Sequence, residues 1–179
     1  MAGNIILIGF MGVGKGRTAR ALAEITGRYA VDTDDLIESM VNMKIRKIFA
    51  LHGEPHFRKL EQQTADWLRQ EVRNTIVSTG GGFFMVNKLG RKDTVVYLHA
   101  ALESILTAIQ EHPKAKKKIK KRPLLREMEQ ARVLYDKRLP AYRQAADLEI
   151  NVEGLAPEEV AAQIVKKLKL LPQAKKRKT

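Results

Sequence analysis

The stretch that most constrains this chain is Gly9-Phe10-Met11-Gly12-Val13-Gly14-Lys15-Gly16-Arg17-Thr18. An apolar, β-branched run, Asn4 to Ile8, precedes it and reads as a buried parallel strand. The pattern from Thr18 to Ile25 that follows it reads as a helix. Strand, glycine-rich turn, lysine and helix together form the context of a phosphate-binding loop. Glycines at 9, 12 and 14 let successive N–H groups face one concavity, where they bind an anion. The helix start turns its unpaired N–H groups to the same place. Lys15 adds a full charge that reaches the β- and γ-phosphates. The nucleotide-binding set is therefore Gly12, Val13, Gly14, Lys15, Gly16 and Arg17. One position departs from the motif G-x-x-x-x-G-K-[ST]: the hydroxyl expected after the lysine, a magnesium ligand, is replaced by Gly16.

The rest of the chain alternates in the same way. Strand patterns at 29–32, 75–79, 94–98 and 148–152 are separated by helical patterns at 36–41, 45–51, 57–71, 101–110, 126–146 and 157–170. Together with the first strand this predicts a five-stranded parallel sheet with helices on both faces, a three-layer α/β/α domain over residues 1–172. Gly53 and Pro55 mark a break between two helices, and Pro140 a kink or break in a later one. Residues 173–179 form a basic flexible tail.

No cysteine is present, which excludes disulfides, thiolate zinc sites and thiol chemistry. No apolar run is long enough to span a bilayer and the N-terminus reads as a strand, so a cytoplasmic, membrane-free protein is expected. The formal net charge is +13, much of it in 114–122 and 175–178. Such runs read as solvated segments, and with few aromatics interleaved a nucleic-acid partner is not expected.

Several polar residues sit where strands end. Asp32, Asp34 and Asp35 follow the second strand; Asp34 or Asp35 reads equally as a helix N-cap or as a carboxylate facing the ligand crevice. Gly80, Gly81 and Gly82 follow the third strand and leave a wall of bare backbone there. Arg58 and Glu61, three apart on a helix, are placed to pair. Trp67 is expected in the core, and His52 and His56, without a third ligand, on the surface.

Taken in order, Gly12-Val13-Gly14-Lys15, Asp32-Thr33-Asp34, Gly53-Glu54 with Phe57-Arg58 and Glu61, Gly80-Gly81-Gly82, Val95 to Leu98, Arg122-Pro123-Leu124-Leu125, and Lys137-Arg138 with Pro140 and Tyr142 resemble the shikimate kinase family. The resemblance covers the chain to about residue 170. It implies a P-loop kinase with a substrate-binding helical segment at about 33–61 and a mobile lid at about 112–124. It implies transfer of phosphate from ATP to the 3-hydroxyl of shikimate, in aromatic amino acid synthesis, with Mg²⁺. By motif, Asp34 would hold the shikimate hydroxyls and Arg58 and Arg138 its carboxylate, beside the backbone of Gly80, Gly81 and Gly82. Lys15 would bind phosphate, Arg122 would close over it from the lid, and Asp32 would position magnesium through water. A monomer is expected. Lys15, Asp34 and Arg122 would form the catalytic group. Against this pattern stand Gly16, and Thr107-Ala108-Ile109 where relatives carry an arginine beside the adenine. Losing one contact to a charged group costs about 1.5–3 kcal/mol. The expectation is a kinase handicapped in metal handling, or else a weakly active or non-catalytic relative.

Overall fold

The computed structural model describes residues 3–90, 92–111 and 128–171. The sheet has the strands β1 (Ile5–Ile8), β2 (Ala30–Asp32), β3 (Ile76–Ser78), β4 (Thr94–His99) and β5 (Leu148–Asn151), in the order β2-β3-β1-β4-β5. Every pairing is parallel, as the continuous apolar runs predict. Helices α1 (Lys15–Thr26), α2 (Thr33–Val41), α3 (Ile45–Glu71), α4 (Leu102–Gln110), α5 (Met128–Ala145) and α6 (Pro157–Lys167) make the connections. Leu7, Val77, Val96 and Leu98 are fully buried at the centre of the sheet.

The sheet order matters for function. β1 and β2 are not neighbours: β3 lies between them, and β4 lies on the other side of β1. Loops leaving the carboxyl ends of β1, β2 and β3 therefore converge, and ligands bind in such crevices. At the opposite end Asn4 is buried and ties three segments together. Its Nδ2 donates to Val72 O (2.9 Å), its Oδ1 accepts from Thr75 N (3.1 Å), and its N donates to Asp93 Oδ1 (2.8 Å).

The segment from 33 to 61 has a small core of its own: Ile37, Ile48, Phe57 and Leu60 bury one another between α2 and α3. α3 is two helical pieces joined at Gly53, whose φ of 75° lies in the left-handed region, and Pro55 opens the second piece.

Three expectations need correction. The helix after β2 begins at Thr33, and its N-cap is Asp32, whose side chain accepts from Asp34 N (3.0 Å). Neither Asp34 nor Asp35 is the cap. Pro140 does not break α5, which runs through it to Ala145. Trp67 is 45% exposed, because the buried stripe of α3 follows Phe57, Leu60, Thr64 and Leu68, with Trp67 beside it. His52 and His56 are exposed, as expected, with ring centroids 4.8 Å apart. The expected lid at 112–124, Arg122 with it, and the tail at 173–179 lie outside the described residues. Among the described residues no helix is long and apolar enough to cross a membrane.

Candidate active site

β1 delivers the glycine loop to the crevice. Gly9, Gly12 and Gly14 all have positive φ, and Gly14 caps α1 in a left-handed conformation that leaves the first N–H groups of the helix facing outward. Lys15 is buried and folds back over the loop, its Nζ donating to Gly9 O (2.7 Å) and Phe10 O (3.1 Å). An open cleft of about 710 Å³ adjoins the loop, lined by Gly12, Val13, Gly14, Arg17 and Thr18 on one side. Thr107 and Ala108 of α4 line it too, as does the segment from Val152 to Pro157. Its size suits a nucleotide. Arg17 is exposed at the rim.

β2 and β3 deliver the acceptor side. Because Asp32 does the capping, Asp34 is left in the first turn of α2 with its carboxylate turned inward. Its Oδ1 is buried and meets no hydrogen-bond donor among the described residues; the same holds for Glu61 Oε1. Both point at Gly80. A Cβ on Gly80 would stand 2.7 Å from Asp34 Oδ1 and 3.3 Å from Glu61 Oε1. Burial, and next the neighbouring charges of Asp32 and Glu61, push the Asp34 carboxyl up from 3.8 to about 7, while Lys15 draws it down. Burial also raises Glu61, against the lowering effect of Arg58.

Arg58 stands over Gly82, where a Cβ would fall 2.3 Å from its Nη1. A side chain at 82 would push the guanidinium from this position. Arg58 Nη1 donates to Glu61 Oε2, and Nε and Nη2 donate to Glu54 Oε1 (3.0 and 2.6 Å). Burial works against its charge, but the hydrogen bonds to Glu61 and Glu54 outweigh it and raise its pKa. Arg138, from α5, donates to Gly81 O (3.1 Å), and its Nη1 lies 3.6 Å from the point a Cβ on Gly81 would occupy. Tyr142, one turn on, donates its hydroxyl to the same carbonyl. It is fully buried, stacked on Tyr97 at 5.1 Å, and burial pushes its hydroxyl up to about 12. A second cavity of about 600 Å³ shares Arg58 and Glu61 with this cluster.

Asp34, Arg58 and Arg138 thus gather around Gly80, Gly81 and Gly82, and Lys15 is near enough for its charge to act on Asp34. Glu61 and Tyr142 join this cluster too, although the sequence marks Glu61 only as a partner for Arg58 and Tyr142 only as a motif residue.

The oxygen donors beside α1 suit a hard cation. A Cβ on Gly16 would lie 3.7 Å from Ser78 Oγ and 4.0 Å from Asp32 Oδ2. Magnesium takes oxygen ligands, keeps several waters and needs only one or two protein groups besides phosphate. Asp32 accepts from Ser78 Oγ at 2.7 Å, so the two oxygens are held together.

A parallel sheet whose first strand ends in a glycine loop with a buried lysine, facing a crevice that holds a second, carboxylate- and arginine-lined site, defines a P-loop phosphotransferase. Comparison with known proteins narrows the class. The family model for shikimate kinase matches residues 11–169. A shikimate kinase of Helicobacter hepaticus is 36% identical over 162 residues, covering 90% of this chain and 93% of that one. One from Streptococcus thermophilus is 39% identical over 165 residues, covering 87% and 94%. The solved structure of shikimate kinase from Acinetobacter baumannii in complex with shikimate superposes with a TM-score of 0.80 at 30% identity, covering 94% of this chain and 93% of that chain. The chain belongs to the shikimate kinase family.

Proposed function

We propose that this chain transfers the γ-phosphoryl group of ATP to the 3-hydroxyl of shikimate, with the residue roles that follow. The phosphates lie in the loop of Gly12 to Arg17, and the base extends into the cleft between α4 and the Val152–Pro157 segment. Lys15 exchanges its loop carbonyls for phosphate oxygens. Asp34 accepts hydrogen bonds from the shikimate hydroxyls and takes the proton of the attacking one. A base with a pKa near the operating pH is suited to that work. Arg58 and Arg138 bind the carboxylate, because a guanidinium meets a carboxylate through two parallel hydrogen bonds. Glu61 fixes Arg58 from the buried side. Glu54 is 59% exposed and swings aside to free donors for the substrate. Tyr142 and Arg138 hold Gly81, so that the wall of bare backbone keeps its shape. Arg122 joins the phosphates from the lid.

Asp32 and Ser78 provide the oxygens nearest the metal position, Asp32 acting through water. Mg²⁺, when bound with ATP, neutralises charge on the phosphate oxygens. The protein acts as a monomer in the cytoplasm; light scattering checks the first of these.

The observation that carries the reading is the grouping of Asp34, Glu61, Arg58 and Arg138 around Gly80–Gly82 within electrostatic reach of Lys15. A coupled assay with ATP, Mg²⁺ and shikimate tests it: ADP release should depend on shikimate. Gly16 motivates the second reading, a weakly active or non-catalytic relative. ADP release that is absent, with both ligands still bound, would select it.

A further inference from the structure

A P-loop presents a hydroxyl from the first turn of its helix toward the nucleotide's metal. In this chain the position is Gly16, which has no hydroxyl to offer. The neighbouring strand does. Ser78 ends β3 and is in register with Leu7 on one side and Asp32 on the other. Residues in register across a parallel pair turn to the same face. Ser78 Oγ accordingly lies 3.7 Å from the point where a residue-16 Cβ would stand, with Asp32 Oδ2 at 4.0 Å. We propose that Ser78 supplies the metal-facing hydroxyl that Gly16 lacks, so that the donor has moved from the helix to the adjacent strand.

The hydrogen bonding supports this. The Ser78 hydroxyl proton is given to Asp32 Oδ2 at 2.7 Å, which leaves the oxygen lone pairs for a cation. Asp32 is itself held through its other oxygen by Asp34 N at 3.0 Å. Ser78 is 3% exposed, so its rotamer is fixed by the sheet. Glycine at 16 leaves the intervening space open. One positive group also reaches it: Arg20 Nη1 is 3.8 Å from the same point. It is the far end of an exposed side chain, and an arriving cation displaces it to solvent.

The inference rests on the reading of the glycine loop as the nucleotide site, so the experiment separates the two. Calorimetric titration of ADP in EDTA tests the loop alone. Electron paramagnetic resonance then measures Mn²⁺ binding to the ADP complex. Ser78→Ala should weaken Mn²⁺ about tenfold, the loss of one contact to a charged group, with metal-free ADP affinity unchanged. Adding Gly16→Ser to Ser78→Ala should restore Mn²⁺ binding, while Gly16→Ser alone adds little. Ser78→Cys gives a direct signature, since the chain has no cysteine of its own. Its ADP complex should bind Cd²⁺ with a thiolate-to-metal absorption band that saturates at one equivalent, because thiolate favours a soft metal. Unchanged Mn²⁺ affinity in Ser78→Ala, or Cd²⁺ binding without that band, overturns the proposal. Failure of wild-type ADP binding in EDTA overturns the nucleotide reading, and this inference falls with it.

Discussion

The buried carboxyl of Asp34 links the catalytic reading to a stability measurement. Its pKa rises from 3.8 to about 7 on folding, chiefly through burial. Below 3.8 both states hold the proton and the shift has no effect on stability. Between 3.8 and 7 the folded protein holds a proton that the unfolded chain has lost, so stability falls as pH rises. Above 7 both states are ionised and the full penalty is present. At 1.36 kcal/mol per unit, that penalty is about 4 kcal/mol. Asp34→Asn removes the ionisation. The variant should be inactive and more stable than wild type at pH 8, by up to about 4 kcal/mol. Urea unfolding of both proteins without ligands, at pH 5 and pH 8, isolates the effect, because Glu61 titrates in each. Wild type should lose about 3 kcal/mol more than the variant between the two. Parallel pH dependences would refute the reasoning, since they would mean that Asp34 is ionised at no special cost.

Other perturbations follow from the same geometry. Lys15→Met should lower kcat at least about a hundredfold, the scale seen when one preorganised charge-stabilising group is lost, in steady-state assays. Gly82→Ala drives a Cβ against the Arg58 guanidinium, which must shift; KM for shikimate should rise at least about tenfold, because small misplacements of positioning groups are costly, while ADP affinity by calorimetry stays as it was. Asn4→Ala leaves Thr75 N without its partner at the far end of the sheet, while Val72 O keeps its bond from Arg73 Nη1 (2.7 Å). Urea unfolding should show a loss of about 1–3 kcal/mol, the cost of one orphaned buried group, and KM for both substrates should not move.

The sheet was legible from sequence because its strands are continuous apolar runs punctuated by glycine, a pattern written locally. The loop was legible for the same reason: lysine, glycines and helix are consecutive. What joins Asp34 to Gly80, or Asp32 to Ser78, is the insertion of β3 between β1 and β2, and no local spacing encodes strand order. That is why Glu61 was visible as a partner for Arg58 but not as a wall of the crevice, and why Ser78 carried no signal beside the missing hydroxyl of Gly16. Asp34 was ambiguous for a different reason. A helix that starts three residues earlier than its apolar pattern moves the cap to Asp32, and cap chemistry alone cannot choose among three nearby acids. Trp67 was misplaced because it flanks the buried stripe of α3, and a large side chain at the edge of a stripe stays half covered.

The separate cluster of Ile37, Ile48, Phe57 and Leu60 has an evolutionary consequence. Asp34 and Arg58 stand on a module with its own hydrophobic anchor, while Lys15 and its loop hang on the sheet. Changes that retune which small acid is phosphorylated can therefore accumulate in one module without disturbing the fuel-handling half.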